Sequence, residues 1–179
     1  MHVCVYCAAS TTLAPVYHTA AAEFGRALGA RGDTLVYGGS SHGLMGEVAR
    51  GVHAGGGKVI GFIPRMLLNV EFAYDNADEL VITEDMRTRK AGMASRADAF
   101  VALPGGIGTL EELFEIMTLR ALGQLDKPLV LLNTNNFYDP LCALISKMGD
   151  EGFLRRTIDE LFMLAADVPS ALAHLDVGG

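Results

Sequence analysis

Short apolar runs of strand length alternate with longer amphipathic segments along most of the chain, and this alternation limits the possible folds more than any other feature. Strands are predicted over residues 3–6, 34–37, 58–63, 79–83, 99–103, 128–132 and 161–165. Helices are predicted over residues 17–30, 44–54, 84–95, 106–122 and 138–148, with a short helix from residue 169. The strands are apolar along their whole length, which is typical of parallel strands covered on both faces. The pattern predicts an α/β fold with a doubly wound parallel sheet and helices on both faces.

The length and composition favour one domain. The chain has 179 residues, of which 50% are hydrophobic and 20% are charged, so it can bury a substantial core. No linker, repeat or low-complexity tract interrupts it, although residues 65–76 remain mostly unassigned loop. We therefore predict a single Rossmann-like domain over residues 1–179.

The charge and the cysteine content exclude several functional classes. A net charge of −7 disfavours a broad surface for nucleic acid or anionic membrane. No apolar run reaches membrane-spanning length, and the first residues lack the basic leader of a signal peptide. Three cysteines do not make a disulfide framework, and five scattered histidines make no metal pattern. We expect a cytoplasmic protein without a metal ion.

The strongest functional signal is PGGIGTLEE, residues 104–112, where a predicted strand leads directly into a glycine-rich turn and a helix. The first turn of a helix has free N–H donors and a partial positive charge. Glycines let a phosphate oxygen approach the backbone, and a threonine hydroxyl can add a hydrogen bond. The run has neither the Gly-Lys-Ser/Thr ending of a P-loop nor the position of a dinucleotide fingerprint. We predict a phosphate site at Gly105, Gly106, Gly108 and Thr109, rather than a turn that merely requires glycine.

Two further segments are predicted to lie at the same edge of the sheet. Residues 38–46, which include Gly39, are glycine-rich and also connect a strand to a helix. They can form the floor of a nucleotide site or serve only for packing, and the sequence does not decide between these roles. Ser10 follows the first strand and is a candidate hydroxyl donor, although its residue type is more typical of a helix cap.

A carboxylate follows the phosphate site on the predicted helix. Glu112 lies one turn inside that helix, and Glu115 and Thr118 follow at three-residue spacing, so we expect all three on one face. Glu112 would lie about one ribose length from a bound phosphate, near C1′ of a nucleoside 5′-monophosphate. A carboxylate there can stabilise an oxocarbenium-like state and take a proton from attacking water. The alternative is that acidic residues simply complement the helix dipole.

Basic residues occur where a helix start disfavours them. Arg87, Arg89 and Lys90 follow Met86 at the start of the helix predicted over residues 84–95, although a helix N-terminus favours acidic side chains. This placement indicates pairing with phosphate or with Glu112, and the alternative is a solvated basic turn.

Other conspicuous residues are predicted to be structural. The pair Cys4 and Cys7 has redox spacing but falls within the first strand region, whereas redox pairs favour a helix start. Methionines at positions 86, 93, 117 and 148 are predicted to lie in the core.

Together these residues resemble the LONELY GUY (LOG) family of cytokinin riboside 5′-monophosphate phosphoribohydrolases. Residues 104–112 resemble its PGGxGTxxE signature and residues 86–90 its Met-x-x-Arg-Lys signature, and residues 37–46 and 126–128 also match. The resemblance extends from Val5 to about Tyr138. It implies hydrolysis of the N-glycosidic bond of an N6-substituted (prenyl) adenosine 5′-monophosphate, which releases the free cytokinin base and ribose 5-phosphate. It also implies a homodimer and no cofactor.

The resemblance assigns roles to single residues. Arg89 and Glu112 match the family's catalytic pair. The positions that match the family's substrate-contacting segments are Glu71, Lys90, Gly106, Gly108, Thr109, Glu111 and Thr118. Leu119 and Arg120 stand where many members have Trp-Ala. Because the helix after Thr118 is expected to border the base pocket, unsubstituted AMP is an alternative substrate.

Three other functions compete with this interpretation. Molybdenum-cofactor carrier proteins resemble the same fold and bind a phosphorylated ligand without needing Glu112 and Arg89 together. A dehydrogenase is disfavoured because no dinucleotide fingerprint follows the first strand. Some family members have been labelled lysine decarboxylases, but neither the predicted strand–loop–helix site nor Lys90 indicates a pyridoxal Schiff base.

Overall fold

Seven parallel strands form one sheet in the computed structural model, which describes residues 1–68 and 72–176. The strands are β1 (His2–Tyr6), β2 (Thr34–Tyr37), β3 (Lys58–Pro64), β4 (Glu79–Thr83), β5 (Ala99–Ala102), β6 (Leu129–Leu132) and β7 (Met163–Ala165). Their order is β4-β3-β2-β1-β5-β6-β7. Strands β2 to β4 therefore lie on one side of β1, and strands β5 to β7 lie on the other side. This arrangement confirms the predicted doubly wound parallel sheet.

Helices cover both faces of this sheet. They are α1 (Pro15–Ala30), α2 (Gly43–Ala54), α3 (Met86–Arg96), α4 (Ile107–Ala121), α5 (Asp139–Asp150), α6 (Ile158–Leu161) and α7 (Val168–Asp176). Short 3-10 turns occur at Arg65–Leu67 and Thr134–Asn136. Within residues 1–68 and 72–176, no helix has the length and apolar character needed to cross a membrane.

Alternation along the central strand divides the core into two layers. Val3 and Val5 of β1 belong to a cluster that includes residues of α1, α2 and α7. Cys4 and Tyr6 point to the opposite face, into a cluster that includes residues of α3, α4 and α5. Because β1 is buried on both faces, its sequence is apolar throughout instead of alternating with polar residues.

Local capping chemistry moves several element ends from their predicted positions. The third helix begins at Met86, not at residue 84, because the Asp85 carboxylate caps it and accepts the Thr88 N–H at 2.7 Å. The first helix begins earlier than predicted, with Pro15 near its start, where the missing N–H of proline costs nothing. The last predicted strand is shorter because Leu161 ends α6.

Close backbone contact between α1 and α2 depends on glycine. A Cβ on Gly25 would lie 2.3 Å from the Val48 carbonyl oxygen, and one on Gly51 would lie 2.6 Å from the Ala22 carbonyl oxygen. The two helices therefore pack with their backbones in contact, and this contact fixes the position of α2 beside the carboxyl ends of β1 and β2.

Candidate active site

A cavity of about 320 Å³ opens beyond the carboxyl ends of β1 and β5. From β1 the chain continues towards one edge of the sheet, and from β5 it continues towards the other edge. Open α/β sheets bind ligands at such a switch point. Four segments contribute its lining residues: Cys7, Ala8, Ala9, Ser10, Met45, Met86, Arg89, Gly106, Gly108, Thr109, Glu111 and Glu112. The fold thus brings most of the predicted site residues, from distant parts of the sequence, into one cavity.

The first turn of α4 forms one wall of this cavity. The Leu110 N–H donates to the Gly106 carbonyl oxygen at 3.0 Å, which is the first hydrogen bond of the helix. The N–H groups of Ile107, Gly108 and Thr109 precede it and have no intrahelical acceptor by the geometry of a helix. Together with the helix dipole, these groups can bind a phosphate dianion.

The three glycines of this turn have different surroundings. A Cβ on Gly105 would lie 2.1 Å from the Thr109 Oγ1, so the Thr109 side chain occupies the space over Gly105. A Cβ on Gly106 or Gly108 would meet nothing within 4 Å. The protein itself therefore does not require glycine at 106 and 108, and the open space beside them leaves room for a ligand atom to approach the backbone.

The second glycine-rich segment is closed to an anion. The Ala8 carbonyl oxygen accepts the N–H groups of Leu44 at 2.9 Å and of Met45 at 3.3 Å, at the start of α2. A Cβ on Gly43, which has a φ of 55°, would lie 2.4 Å from the Ala9 carbonyl carbon. Of the two roles that the sequence left open for residues 38–46, the structure favours packing, and only Met45 of this segment lines the cavity.

Arg89 lines the cavity, and backbone carbonyl groups hold its side chain in place. Its side chain is buried, with 3% relative exposure for the residue. Its Nε donates to the Phe62 carbonyl oxygen at 3.0 Å, and its Nη2 donates to the Gly38 carbonyl oxygen at 2.7 Å. Gly38 directly follows β2 and Phe62 lies within β3, so the sheet fixes the orientation of the guanidinium group.

Glu112 projects from α4 into the same cavity. Only 6% of the residue is exposed, although it lies within two turns of the helix start. Burial is the main cause of the raised pKa of the nearby Cys4 thiol. The Glu112 carboxylate raises this pKa further, whereas the Arg89 guanidinium lowers it. The site therefore places a buried carboxylate and a buried guanidinium beside a free helix N-terminus.

Cys7 lies in the cavity wall but is chemically quiet. Burial raises the pKa of its thiol well above the ordinary range, and the Glu112 charge raises it further. A thiol with such a pKa is protonated at neutral pH, and the protonated form is a poor nucleophile. Cys7 therefore acts as an apolar neighbour of Glu112 and not as the attacking group.

Lys90 is not among the residues that line the cavity, and its side chain joins α3 to α4. Its ammonium group pairs with Glu111 and lies 2.8 Å from the Glu115 carboxylate. These two hydrogen bonds raise the pKa of Lys90 above its ordinary value. Glu111 lines the cavity, whereas Lys90 and Glu115 do not.

Besides Lys90, three described residues that were predicted to bind substrate are not among those that line the cavity. Gly39 forms a turn with a φ of 79°, and its carbonyl oxygen accepts the Tyr74 N–H at 2.9 Å. Gly105 lies beneath Thr109. Thr118 donates to the Phe114 carbonyl oxygen at 2.7 Å on an exposed part of α4. Glu71 lies outside the described residues.

The prediction that Glu112, Glu115 and Thr118 lie on one face of the helix is wrong. Glu112 is buried towards the cavity, the Glu115 side chain is 46% exposed beside Lys90, and Thr118 borders a separate apolar groove. Six residues of an α-helix correspond to about 240° of rotation, so Glu112 and Thr118 cannot face the same way.

Several cavity residues were missed by reasoning from the sequence. Ala8 and Ala9 follow β1 and have no functional group, so only their place after the central strand could have indicated them. Met86 was predicted to lie in the core but is 37% exposed and lines the cavity. Within the described residues, no group of three or more His, Cys, Asp or Glu side chains is arranged to hold a metal ion.

A family model described as "Possible lysine decarboxylase" matches residues 45–175 of the chain. This match covers α2 to α7, including both segments that supply Arg89 and Glu112.

Proteins with assigned names match almost the whole chain. One from Oryza sativa subsp. japonica, named "Probable cytokinin riboside 5'-monophosphate phosphoribohydrolase LOGL2", is 47% identical over 97% of this chain and 71% of its own length. Another from Arabidopsis thaliana, "Cytokinin riboside 5'-monophosphate phosphoribohydrolase LOG2", is 42% identical over 97% of this chain and 82% of its own length.

Solved structures share the fold at lower sequence identity. The molybdenum cofactor carrier protein from Chlamydomonas reinhardtii superposes with a TM-score of 0.75 at 26% identity, over 99% of this chain and 96% of the carrier. The molybdenum cofactor binding protein from Rippkaea orientalis gives a TM-score of 0.73 at 21% identity, over 98% of this chain and 95% of that one, which is similarity of fold alone.

Proposed function

The chain belongs to the LONELY GUY family of cytokinin riboside 5′-monophosphate phosphoribohydrolases, and we propose that it hydrolyses the N-glycosidic bond of a nucleoside 5′-monophosphate. The substrate is an adenosine 5′-monophosphate with an N6 substituent of the prenyl type. The products are the free cytokinin base and ribose 5-phosphate.

One observation carries this proposal: the free N-terminus of α4 and the buried Glu112 carboxylate line the same cavity. The N-terminus, beside Gly106, binds the 5′-phosphate through the backbone N–H groups of Ile107, Gly108 and Thr109. Glu112 is on the same helix, so the distance between phosphate and carboxylate is set by helix geometry and does not vary with loop motion. A cavity of about 320 Å³ is at the small end of the range for ligand pockets, roughly 300–1,000 Å³.

Glu112 serves the bond cleavage in two ways. As the bond between C1′ and the adenine nitrogen breaks, the electron pair goes to the base and positive charge develops on the ribose. The carboxylate stabilises this charge and takes a proton from the water that attacks C1′. The water oxygen stays on the sugar as its new hydroxyl group, and the base gains one proton, which balances the proton that Glu112 takes from the water.

Arg89 complements Glu112 by holding a positive charge at a fixed place. Its two hydrogen bonds to the Gly38 and Phe62 carbonyl groups leave little freedom to the guanidinium. We assign it to orienting Glu112 or the phosphoribosyl group. Ser10, which also lines the cavity, is assigned as a further hydroxyl donor.

Two bases are compared as substrates, an N6-prenyl adenine and plain adenine. Leu119 packs against the core cluster on the α4 face of the sheet, and neither Leu119 nor Arg120 is among the cavity-lining residues. Leu119 and Arg120 stand where many family members have Trp-Ala, but within one chain this difference therefore does not change the lining of the cavity. We propose N6-prenyl adenosine 5′-monophosphate as the better substrate, with AMP as a possible second one.

The proposal is tested by chromatography of the products formed from three compounds. These are isopentenyladenosine 5′-monophosphate, AMP and isopentenyladenosine without phosphate. We expect base release from the prenylated monophosphate and little release from the riboside, because the riboside lacks the group that α4 binds. Equal release from the riboside would contradict the assigned phosphate site.

A carrier of a phosphorylated ligand is the second candidate, because the fold superposes on a molybdenum cofactor carrier protein with a TM-score of 0.75. A carrier would bind a nucleotide tightly and release no base from it. The buried pair of Glu112 and Arg89 favours the hydrolase, since binding alone does not need a carboxylate inside an anion site.

We further propose a homodimer that forms through the exposed sides of α4 and α5. An apolar groove of about 130 Å³ lies there, with Thr118 as its only polar member among the described residues: Phe114, Met117, Thr118, Ala121, Ile145, Met148, Leu154 and Leu161. Light scattering should give twice the chain mass, and Phe114→Lys should shift the protein towards monomer. Leu164→Lys is the control, because Leu164 is similarly exposed but lies on β7. A monomeric wild type at all concentrations would overturn this.

The compartment is a proposal as well. Cys4, Cys7 and Cys142 are all free thiols, which fits a reducing, cytoplasmic location.

A further inference from the structure

We infer that Lys90 is a positioning residue, which fixes α3 against α4 so that Arg89 and Glu112 keep their relative placement. This inference rests on the proposed hydrolysis. It gives Lys90 a role different from the direct substrate contact that the resemblance implies.

The ion pairs of Lys90 connect the two helices that carry the reacting side chains. Lys90 directly follows Arg89 on α3, and Glu111 directly precedes Glu112 on α4. The Lys90 ammonium pairs with Glu111 and with Glu115, the latter at 2.8 Å. We call this three-residue arrangement the Lys90 bridge.

The geometry of the Lys90 bridge suits a spacer between helices. Glu111 and Glu115 are one helical turn apart, so they present two carboxylates on one side of α4. Without a cation between them the two charges repel each other. The Lys90 side chain is 16% exposed, against 54% and 46% for its partners, so the shared cation is the most sheltered member. Its position is therefore well defined.

Phosphate binding by Lys90 conflicts with these contacts. The ammonium group has three donors, and two of them are used by Glu111 and Glu115. Lys90 is not among the residues that line the cavity, although both Arg89 and Glu111 are. A phosphate contact would have to use the third donor or displace one of the carboxylate partners.

The opposite end of α3 has an anchor of its own. Lys127 donates to the Ala97 carbonyl oxygen at 2.6 Å and to the Ala94 carbonyl oxygen at 3.4 Å. Arg89 also stays bound to the Gly38 and Phe62 carbonyl groups, so loss of the Lys90 bridge should chiefly let the first turns of α4, which carry Glu112, shift relative to α3. Small misplacements of a catalytic group can reduce rates by as much as about 100-fold.

The test compares steady-state kinetics with the binding of ribose 5-phosphate, a product that carries the phosphate and has no glycosidic bond to cleave. Lys90→Met keeps most of the length of the side chain and removes both ion pairs. We expect kcat for base release to fall about 10- to 100-fold, with KM and the Kd for ribose 5-phosphate within about threefold of wild type. A purely structural defect would instead lower kcat and the binding stoichiometry together.

Two further variants separate positioning from phosphate binding. Glu115→Gln should lower kcat in the same direction as Lys90→Met but less. The charge exchange Lys90→Glu/Glu115→Lys should restore kcat towards wild type, because a cation again lies between two carboxylates. If Lys90 contacts phosphate, Glu115→Gln should tighten ribose 5-phosphate binding and the exchange should not rescue activity. Either of these results overturns the inference.

Failure of the inference can be told from failure of the proposed function. A wild type that releases no base overturns both. An active wild type whose Lys90→Met variant keeps its kcat, or loses more than about tenfold in ribose 5-phosphate affinity, overturns the inference alone.

Discussion

At the scale of single residues, the glycines of the α4 turn serve two different purposes. Gly105 makes room for the Thr109 side chain, which would be 2.1 Å from a Cβ at this position. At Gly106 and Gly108, no atom from other parts of the described chain lies within 4 Å of where a Cβ would be. Stability and ligand binding should therefore respond differently when these glycines are replaced.

Gly108→Ala should leave the fold intact while it weakens substrate binding. Alanine is favoured over glycine within a helix by up to about 1 kcal/mol, so the free energy of unfolding should stay the same or rise. The new methyl group borders the space assigned to the phosphate, so we expect KM for the monophosphate to rise about tenfold or more.

Gly105→Ala is the matched control in the same turn. Its Cβ would collide with Thr109, so this variant should lose stability in urea denaturation before any ligand is added. An unchanged KM in Gly108→Ala would contradict the phosphate site.

At the scale of helices and strands, the packing of α1 on α2 fixes the position of α2, which contributes Met45 to the cavity. Gly51 on α2 lies so close to α1 that a Cβ would be 2.6 Å from the Ala22 carbonyl oxygen. Gly51→Ala should therefore reduce the free energy of unfolding by about 1–3 kcal/mol, the usual cost of overpacking. Urea denaturation measures this loss.

Gly149→Ala serves as the control for that prediction. Gly149 is also helical, on α5, but a Cβ there would meet nothing within 4 Å. This variant should keep or gain stability, by up to about 1 kcal/mol. If both variants behaved alike, the close contact between α1 and α2 would not matter for stability.

The sequence predicted every strand because the apolar runs are short and are bounded by glycine, proline or charged residues. It predicted the ends of helices less well, since those depend on single hydrogen bonds. Asp85 could not be recognised as the cap of α3 while Glu84 beside it looked equally acidic. The four residues Ile158–Leu161 are too few to show a helical period, so α6 was missed and Leu161 was assigned to a strand.

A histidine joins the end of α2 to the segment that precedes β4. The His53 ring nitrogens lie 3.0 Å from the Tyr74 hydroxyl and 3.0 Å from the Asp78 carboxylate. Asp78 also accepts the Val59 N–H at 2.8 Å. These two hydrogen bonds, the one with His53 first, lower the pKa of Asp78.

The stabilisation by Asp78 should depend on pH with a definite sign. Because the folded-state pKa is below the unfolded value, stability is present above the unfolded pKa and is lost as the pH falls through the folded pKa. Asp78→Asn should cost about 1 kcal/mol near neutral pH, the order of one charge-assisted hydrogen bond at a half-exposed site. The difference from wild type should shrink below about pH 4.

Urea denaturation at several pH values measures this dependence. Asp75→Asn, an exposed carboxylate of the same segment, should show no comparable effect. A loss in Asp78→Asn that is independent of pH would mean that the carboxylate charge is not what stabilises this segment.

At the scale of the whole molecule, the doubly wound sheet explains how an acidic protein can bind an anion. The chain has a net charge of −7, yet the free N–H groups of α4 and the buried Arg89 supply a local positive field at the switch point. The fold is shared with carrier proteins, so the fold alone does not decide between carrier and enzyme. The decision rests on the side chains in the cavity.

The sequence predicted those cavity residues that are of recognisable types and lie together in one segment. The turn that contains Gly106, Gly108 and Thr109 is the example. The sequence could not show which of two similar glycine-rich segments is open, because the Ala8 carbonyl group that closes the start of α2 comes from a distant loop. It also could not place Met86 in the cavity, since a methionine on a helix is more commonly a core residue.

The central claim is that Glu112 performs the chemical step, and the most direct measurement is the rate of base release by Glu112→Gln alongside its affinity for ribose 5-phosphate. Glu23→Gln, an exposed glutamate on α1, is the control and should behave as wild type. We predict that Glu112→Gln loses at least about 100-fold in kcat while it binds ribose 5-phosphate within about threefold of wild type. A Glu112→Gln variant that releases base at the wild-type rate would contradict this account.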